Sequence, residues 1–169
     1  MPTEETKDNS SGGLVLAPGE GKKITVGPNT VTYKLRGEHT GGAFSMIEYS
    51  VAGKFEAPSA LHYHTKDAAA IYVLEGTFGF QLGECEVLAP AGSVVLLSSG
   101  LPFKWWNAED RPARYLAIYF PAGFEKYFEE VNEAANSLPP GPLDMEKLAP
   151  LIKPIWEKYG IAIYKPEDK

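Results

Sequence analysis

Residues 62–76 read HYHTKDAAAIYVLEG, and residues 92–107 read GSVVLLSSGLPFKWWN. Both stretches hold runs rich in aliphatic and aromatic residues, bounded by turn-forming residues such as glycine and serine, which is typical of short β-strands. Side chains two positions apart on a strand point to the same side. His62 and His64 therefore share one face of their strand, and the two stretches predict a β-structure that carries a pair of imidazoles.

Strand-like runs separated by Gly and Pro continue on both sides of these stretches, from Leu14 to Phe120. The chain has 169 residues, with 17 Gly and 14 Pro. That length indicates one domain, and the Gly and Pro content favours many short strands over a helix bundle. No internal repeat is visible, so we expect a single barrel.

The spacing of the two stretches resembles that of the cupins. The resemblance rests on His62-Tyr63-His64, four residues, Ala69, six residues and Gly76, and on Gly92, Ser98, Gly100, Phe103 and Asn107. Residues 70–76, 111–128 and 159–161 are similar to those of small single-domain cupins related to quercetin 2,3-dioxygenase. The resemblance covers roughly residues 40–165 and implies an all-β fold, a cupin β-barrel of the jelly-roll type with a C-terminal helical appendage.

Two positions depart from the ligand set that the resemblance implies. Ala69 stands where a Glu ligand is expected, and Phe103 stands where a His is expected. The complete set would offer three imidazoles and a carboxylate to Fe, Mn, Ni, Cu or Zn. With only His62 and His64 left as ligands, we expect no metal or a weakly bound divalent metal.

The chain divides into three predicted parts. Residues 1–12 are predicted to be a disordered lead, residues 13–120 the barrel, and residues 121–169 two helices and an edge strand packed on the barrel. An apolar stripe on the first helix is expected to pack on the outside of the barrel. Asp144 is the expected N-cap of the second helix, which Pro150 and Pro154 are expected to split or kink. The stripe comprises Phe124, Tyr127, Phe128 and Val131.

Strand alternation also groups the other candidate site residues. Ala69 and Ile71 share one face of a strand, and Phe103, Trp105 and Asn107 share one face of a later strand. If the histidines face the barrel interior, these side chains would form a largely apolar and aromatic wall opposite two imidazoles. Such a wall is suited to binding a small, flat organic molecule.

Three functions remain open at this point. The first is an enzyme that uses His62 or His64 for metal-independent proton chemistry (isomerase, cyclase or lyase) on an aromatic or polyketide-like compound. Phe103 and Trp105 would then stack on the substrate, and Asn107 would polarise an oxygen. The second, implied by the resemblance, is a metal-dependent dioxygenase with a bis-His site. The third is a non-catalytic binder of a small molecule, in which the histidines are only hydrogen-bonded parts of the barrel.

The formal charge of −6, without a basic cluster, argues against nucleic acid and anionic membranes as partners. No apolar run approaches the length of a membrane span, and the polar start predicts a cytoplasmic location. The resemblance to cupins implies a homodimer.

Overall fold

The computed structural model describes residues 8–9, 13–57, 60–139 and 145–165. The predicted disordered lead lies outside the described residues except at Asp8–Asn9, which pair with Gly13–Leu14. The described residues form thirteen strands, β1 to β13 in chain order: Asp8–Asn9, Gly13–Leu14, Lys23–Val26, Asn29–Leu35, Ser45–Val51, His62–His64, Ala68–Glu75, Thr77–Leu82, Cys85–Pro90, Val94–Leu97, Phe103–Asn107, Ala113–Phe120 and Ile161–Ile163. A 3-10 helix spans Gly37–Thr40, and the α-helices are α1 at Glu125–Asn136 and α2 at Met145–Tyr159.

Two antiparallel sheets face each other. One has the strand order β10-β7-β12-β5-β4-β3, and the other has the order β13-β6-β11-β8-β9. Most neighbours in these sheets are distant in sequence, as expected of a jelly roll. The architecture confirms the prediction of an all-β, jelly-roll barrel with a C-terminal helical appendage.

The inner faces follow the two-residue period of the strands. On β12 the buried positions are 113, 115, 117 and 119, and on β5 they are 45, 47, 49 and 51. Much of the interior is aromatic. Tyr115 lies edge-on to Tyr49, Phe78 and Trp105, with ring centroids 5.5, 5.1 and 5.7 Å away. Edge-to-face packing of this kind fills the barrel at the level of these residues.

The helices lie against one open edge of each sheet, since α1 contacts β3 and α2 contacts β13. The apolar stripe of α1 was expected to pack on the outside of the barrel, but two of its side chains enter the interior. Phe124 and Phe128 belong to the same buried cluster as the inward side chains of the strands. Phe128 reaches the ring of Tyr49 at 5.7 Å. The appendage therefore completes the core between the sheets.

The second helix runs from Met145 to Tyr159 with both prolines inside it, so the predicted split does not occur. Packing against α1 and β13 supports this helix, because tertiary contacts outweigh intrinsic propensity. The predicted N-cap, Asp144, lies outside the described residues. Gly160, with φ of 72°, follows the last residue of the helix and ends it. The predicted edge strand is confirmed, since β13 pairs with β6. Neither helix in the described part of the chain is long and apolar enough to cross a membrane.

Candidate functional site: two buried histidines

His62 and His64 lie on β6, between β13 and β11. Both point inward and are buried, with 7% and 6% of their surface exposed. Tyr63, between them, is less buried, as the alternation of a strand requires. The two imidazoles thus share one face of their strand, as predicted, and in the structure this face points into the barrel.

His64 is paired with a carboxylate. Its Nδ1 atom lies 2.9 Å from Oδ1 of Asp67, and both side chains are buried. An ionised carboxylate can only accept a hydrogen bond, so Nδ1 of His64 carries the proton and donates it. Nε2 is then left with its lone pair free, as a base or a hydrogen-bond acceptor. The pair has the arrangement of an oriented acid–base group.

His62 is held by the backbone. Its Nδ1 lies 3.0 Å from the carbonyl oxygen of Ala60, to which it donates. Burial lowers the pKa of His62 to about 4, opposed by the hydrogen bond to Ala60 and assisted by nearby His64. His62 is therefore neutral at pH 7, and its Nε2 is also an acceptor.

Aromatic rings enclose both imidazoles. The ring of Phe103 lies 4.5 Å from that of His62 and 5.3 Å from that of His64. Phe124 packs on the imidazole of His64, with 4.4 Å between the ring centroids. Tyr119 supports Phe124 at 4.7 Å. The space beside the histidines is thus occupied by side chains of the protein itself.

A buried glutamate fixes the turn that carries Phe124. Oε1 and Oε2 of Glu125 accept hydrogen bonds from the backbone N–H groups of Gly37 (3.0 Å) and Gly123 (2.6 Å). The hydroxyl of Tyr33 donates to the backbone oxygen of Glu125 at 3.1 Å. Burial acts to raise the pKa of Glu125, but the backbone hydrogen bonds outweigh it, and the pKa lies below its usual value. These hydrogen bonds of Glu125 therefore fix the position of the neighbouring residue, Phe124.

The donor set does not fit a tightly bound metal. Beyond the two imidazoles, the expected ligand positions hold Ala69 and Phe103, which have no donor atoms. Among the described residues, no group of three or more His, Cys, Asp or Glu side chains could hold a metal ion. A phenyl ring next to both imidazoles also fills space that a ligand and an ion would need.

The structure brings only some of the other predicted site residues to the histidines. Phe103 pairs directly with His62 across the sheet. Ala69 and Ile71 are buried on the inner face of β7, each 3% exposed. Trp105 lies farther along β11, within the aromatic interior formed with Tyr49 and Tyr115.

Asn107 lies at the far end of β11, where it pairs with Phe78 instead of the histidine strand. Its side-chain amide donates to the carbonyl oxygens of Ala52 and Arg111 at 3.0 and 2.9 Å. Its Oδ1 accepts from the N–H of Glu109 at 2.9 Å. With 1% exposure, Asn107 is placed to hold loops together.

Two residues at the site were given no role in it by sequence reasoning. Asp67 was not predicted as the partner of a histidine, although its position three residues after His64 was a signal for a side-chain pair across a turn. Phe124 was assigned to an outer helix face. No local pattern marks it as a neighbour of His64, because the contact joins residues 60 positions apart.

A cavity of about 380 Å³ lies beside the His64–Asp67 pair, and Asp67 and Phe124 are part of its wall. The rest of the wall comes from Lys66, from residues 121–130 and from the end of α2 at Lys158 and Tyr159. Phe124 thus contacts His64 and also borders the cavity. A volume of this size is within the range of small-molecule sites, about 300–1,000 Å³.

Residues 50–119 match the family model described as a cupin domain. Among solved structures, the chain is similar to a predicted oxalate decarboxylase from Thermotoga maritima (18% identity, 64% of this chain and 99% of that chain, TM-score 0.58). The polyketide cyclase RemF from Streptomyces resistomycificus is also similar (19% identity, 63% and 78%, TM-score 0.53). So is a sugar phosphate isomerase of the cupin superfamily from Silicibacter pomeroyi (17% identity, 63% and 74%, TM-score 0.52). No curated protein matches the sequence. These likenesses identify the fold as a cupin jelly roll.

Proposed function

We propose that the protein is a small-molecule enzyme of cupin type that uses His64, oriented by Asp67, as a general acid–base group on an aromatic or polyketide-like compound. The observation that carries the proposal is the 2.9 Å contact between Nδ1 of His64 and Oδ1 of Asp67, with both side chains buried. A carboxylate that holds an imidazole in one tautomer and stabilises its protonated form is a recurring device of proton-transfer catalysis.

The chemistry is a proton transfer that returns its proton. Nε2 of His64 removes a proton from the substrate, and the imidazolium, stabilised by Asp67, then donates it at another position. Isomerisation, cyclisation and elimination all fit this scheme without an added oxidant or reductant. His62 stays neutral, so its Nε2 accepts a hydrogen bond from a substrate hydroxyl.

The aromatic surroundings support a flat substrate. Phe103 and Phe124 pack on the imidazoles, and ring stacking is favourable for planar compounds. In this proposal, the substrate enters from the cavity that Asp67 and Phe124 border. Solved structures with the same fold include ones named as a cyclase and an isomerase. A fold hosts many reactions, so these names support only that the barrel accommodates such chemistry.

The test is turnover by chelator-treated protein, measured by mass spectrometry on a panel of flavonols, linear poly-β-ketones and aromatic carboxylates. We expect His64→Ala to lose about 10²–10⁴-fold in turnover, the usual contribution of a general acid–base group. Asp67→Asn should reduce turnover less and shift its pH profile. His39→Ala is the matched control, because His39 lies in the 3-10 helix outside the barrel.

Turnover that survives His64→Ala would refute the proposal. Turnover that appears only after addition of Fe, Mn, Ni, Cu or Zn, with uptake of O₂, would support the dioxygenase alternative. Binding of a panel compound without conversion would support the non-catalytic binder.

A further inference from the structure

The cavity beside His64 and Asp67 is rich in lysine. Lys66, Lys126 and Lys158 belong to its lining, together with Asp67 and Glu130. A cavity with more cationic than anionic side chains attracts anions. The state of each charge therefore decides what the cavity can bind.

Both carboxylates are already engaged. Asp67 accepts the hydrogen bond from His64. Glu130 accepts from Lys158 at 2.5 Å and from the hydroxyl of Tyr159 at 2.6 Å. The hydrogen bond from Lys158, followed by that from Tyr159, lowers the pKa of Glu130. Each carboxylate therefore already has a hydrogen-bond partner, and neither forms an ion pair with Lys66 or Lys126.

Two lysines keep their charge available. Lys66 donates to the neutral backbone carbonyl of Lys158 at 2.7 Å, which leaves its charge uncompensated. Lys126 forms no ion pair with any residue in the described ranges. Lys126 and Phe124 both line the cavity, so an unpaired lysine and an aromatic residue border the same space.

The wall of the cavity is preformed. Thr65 donates from its backbone N–H and its hydroxyl to the carbonyl oxygen of Gly160, at 2.9 and 3.0 Å. A side chain at position 160 would collide with Thr65 and Lys66, so the close approach requires glycine. These contacts bind the turn after β6 to the end of α2. A site that is already ordered loses less entropy when a ligand binds.

Two aromatic residues, Phe124 and Tyr159, line the cavity. Phe124 stacks on Tyr127, with 4.9 Å between ring centroids and 20° between planes, and Tyr159 stands edge-on to Phe124 at 6.1 Å. Aromatic surface beside an unpaired ammonium group is complementary to a flat molecule with a negative charge.

We propose that this cavity binds a small aromatic carboxylate, with the carboxylate at Lys126 and Lys66 and the ring against Phe124. That such a ligand is the substrate of the His64–Asp67 pair rests on the proposed function, whereas its binding does not.

The test is a titration of the ¹⁵N-labelled protein with benzoate, followed by amide chemical shifts, with neutral benzamide as the probe of matched shape. We expect benzoate to shift the amides of residues 121–130 and benzamide to bind much more weakly. Lys126→Glu should weaken benzoate by about tenfold or more, the equivalent of one charge-assisted hydrogen bond. Lys23→Glu is the control, since Lys23 carries the same charge at an exposed position of β3 and does not line the cavity.

The proposal is overturned if benzamide binds as well as benzoate, if Lys126→Glu leaves benzoate binding unchanged, or if benzoate at millimolar concentration shifts none of these amides. The two proposals fail separately. Benzoate binding without His64-dependent turnover of any panel compound refutes only the enzyme. Turnover that depends on His64 but not on Lys126, without benzoate binding, refutes only the anion site.

Discussion

The ring of Phe103 lies 4.5 Å from the ring of His62, directly across the pairing of β11 with β6. The side chain at this position faces the same space as the imidazoles. In the ligand set implied by the resemblance to metal-binding cupins, a third imidazole would stand here. The phenyl ring instead contacts both histidines, so position 103, together with position 69, determines whether the barrel can hold a metal.

We therefore predict that replacing two residues creates a metal site. The double variant Ala69→Glu/Phe103→His should bind one Zn²⁺ or Mn²⁺ per chain, because it supplies four donors to one ion. The unmodified protein, purified without chelator or affinity metal, should contain far less than one equivalent. Elemental analysis after dialysis measures both, and Phe103→Leu controls for loss of the phenyl ring. One tightly held metal per chain in the unmodified protein would contradict this prediction.

His62 should resist protonation. Burial lowers its pKa to about 4 in the folded protein, from a usual value of 6.5. Between these values the unfolded chain binds a proton that the folded protein does not, so this residue makes stability fall as pH decreases from about 6.5 to 4. NMR of labelled imidazoles should show His62 neutral at pH 6, with Nδ1 protonated. A His62 midpoint near 6.5 would show that the imidazole is accessible to water.

Glu125 should stabilise the fold in a pH-dependent manner. Its carboxylate is fully buried and accepts from Gly37 and Gly123. Glu125→Gln removes the charge from these hydrogen bonds and should cost about 1.5–3 kcal/mol at pH 7. Because the folded pKa is lowered, the stabilisation is present above the unfolded pKa and is lost as pH falls through the folded pKa.

The difference between Glu125→Gln and the unmodified protein should accordingly shrink in acid. Urea unfolding at pH 7 and at low pH measures it, with Glu133→Gln on the exposed side of α1 as the control. An equal difference at both pH values would show that Gln fails for a steric reason instead of a missing charge.

Gly79 should tolerate no side chain. It lies on β8 opposite Trp106, and a Cβ atom at position 79 would overlap the indole ring. Gly79→Ala should therefore displace Trp106 and cost about 1–3 kcal/mol of unfolding free energy, as overpacking usually does. Unfolding followed by tryptophan fluorescence measures both effects. Gly13→Ala is the control, since nothing lies within 4 Å of a Cβ there. Unchanged stability and fluorescence would mean that the indole ring moves at no cost.

The shared strand face of His62 and His64 was predictable because it depends only on strand alternation, whereas the inward direction of that face was left as a condition. The pairing of His64 with Asp67 was not, because it depends on how the turn after β6 directs a side chain. Asn107 shows the same limit. Its place on the same strand face as Phe103 and Trp105 was predicted, but its partners at Ala52 and Arg111 come from two other segments.

The appendage was predicted in outline and differs in detail. The helical periodicity predicts the apolar stripe of α1, but it does not determine whether Phe124 covers the outside of the strands or enters the space between the sheets. The outcome depends on the open edges β3 and β13, which leave room for aromatic side chains. The uninterrupted α2 likewise reflects neighbours that support it, which residue propensities do not include.

The histidines and the cavity wall come from different parts of the chain. His62, His64 and Asp67 lie within residues 50–119, the part that matches the cupin domain, whereas most of the cavity wall comes from residues 121–159. Substitutions in the appendage can therefore alter the shape and charge of the cavity and leave the histidine strand unchanged. A barrel of this kind can evolve new ligand preferences through the cavity-lining residues of its C-terminal segment, whereas Phe124 and Phe128 stay constrained because they complete the interior.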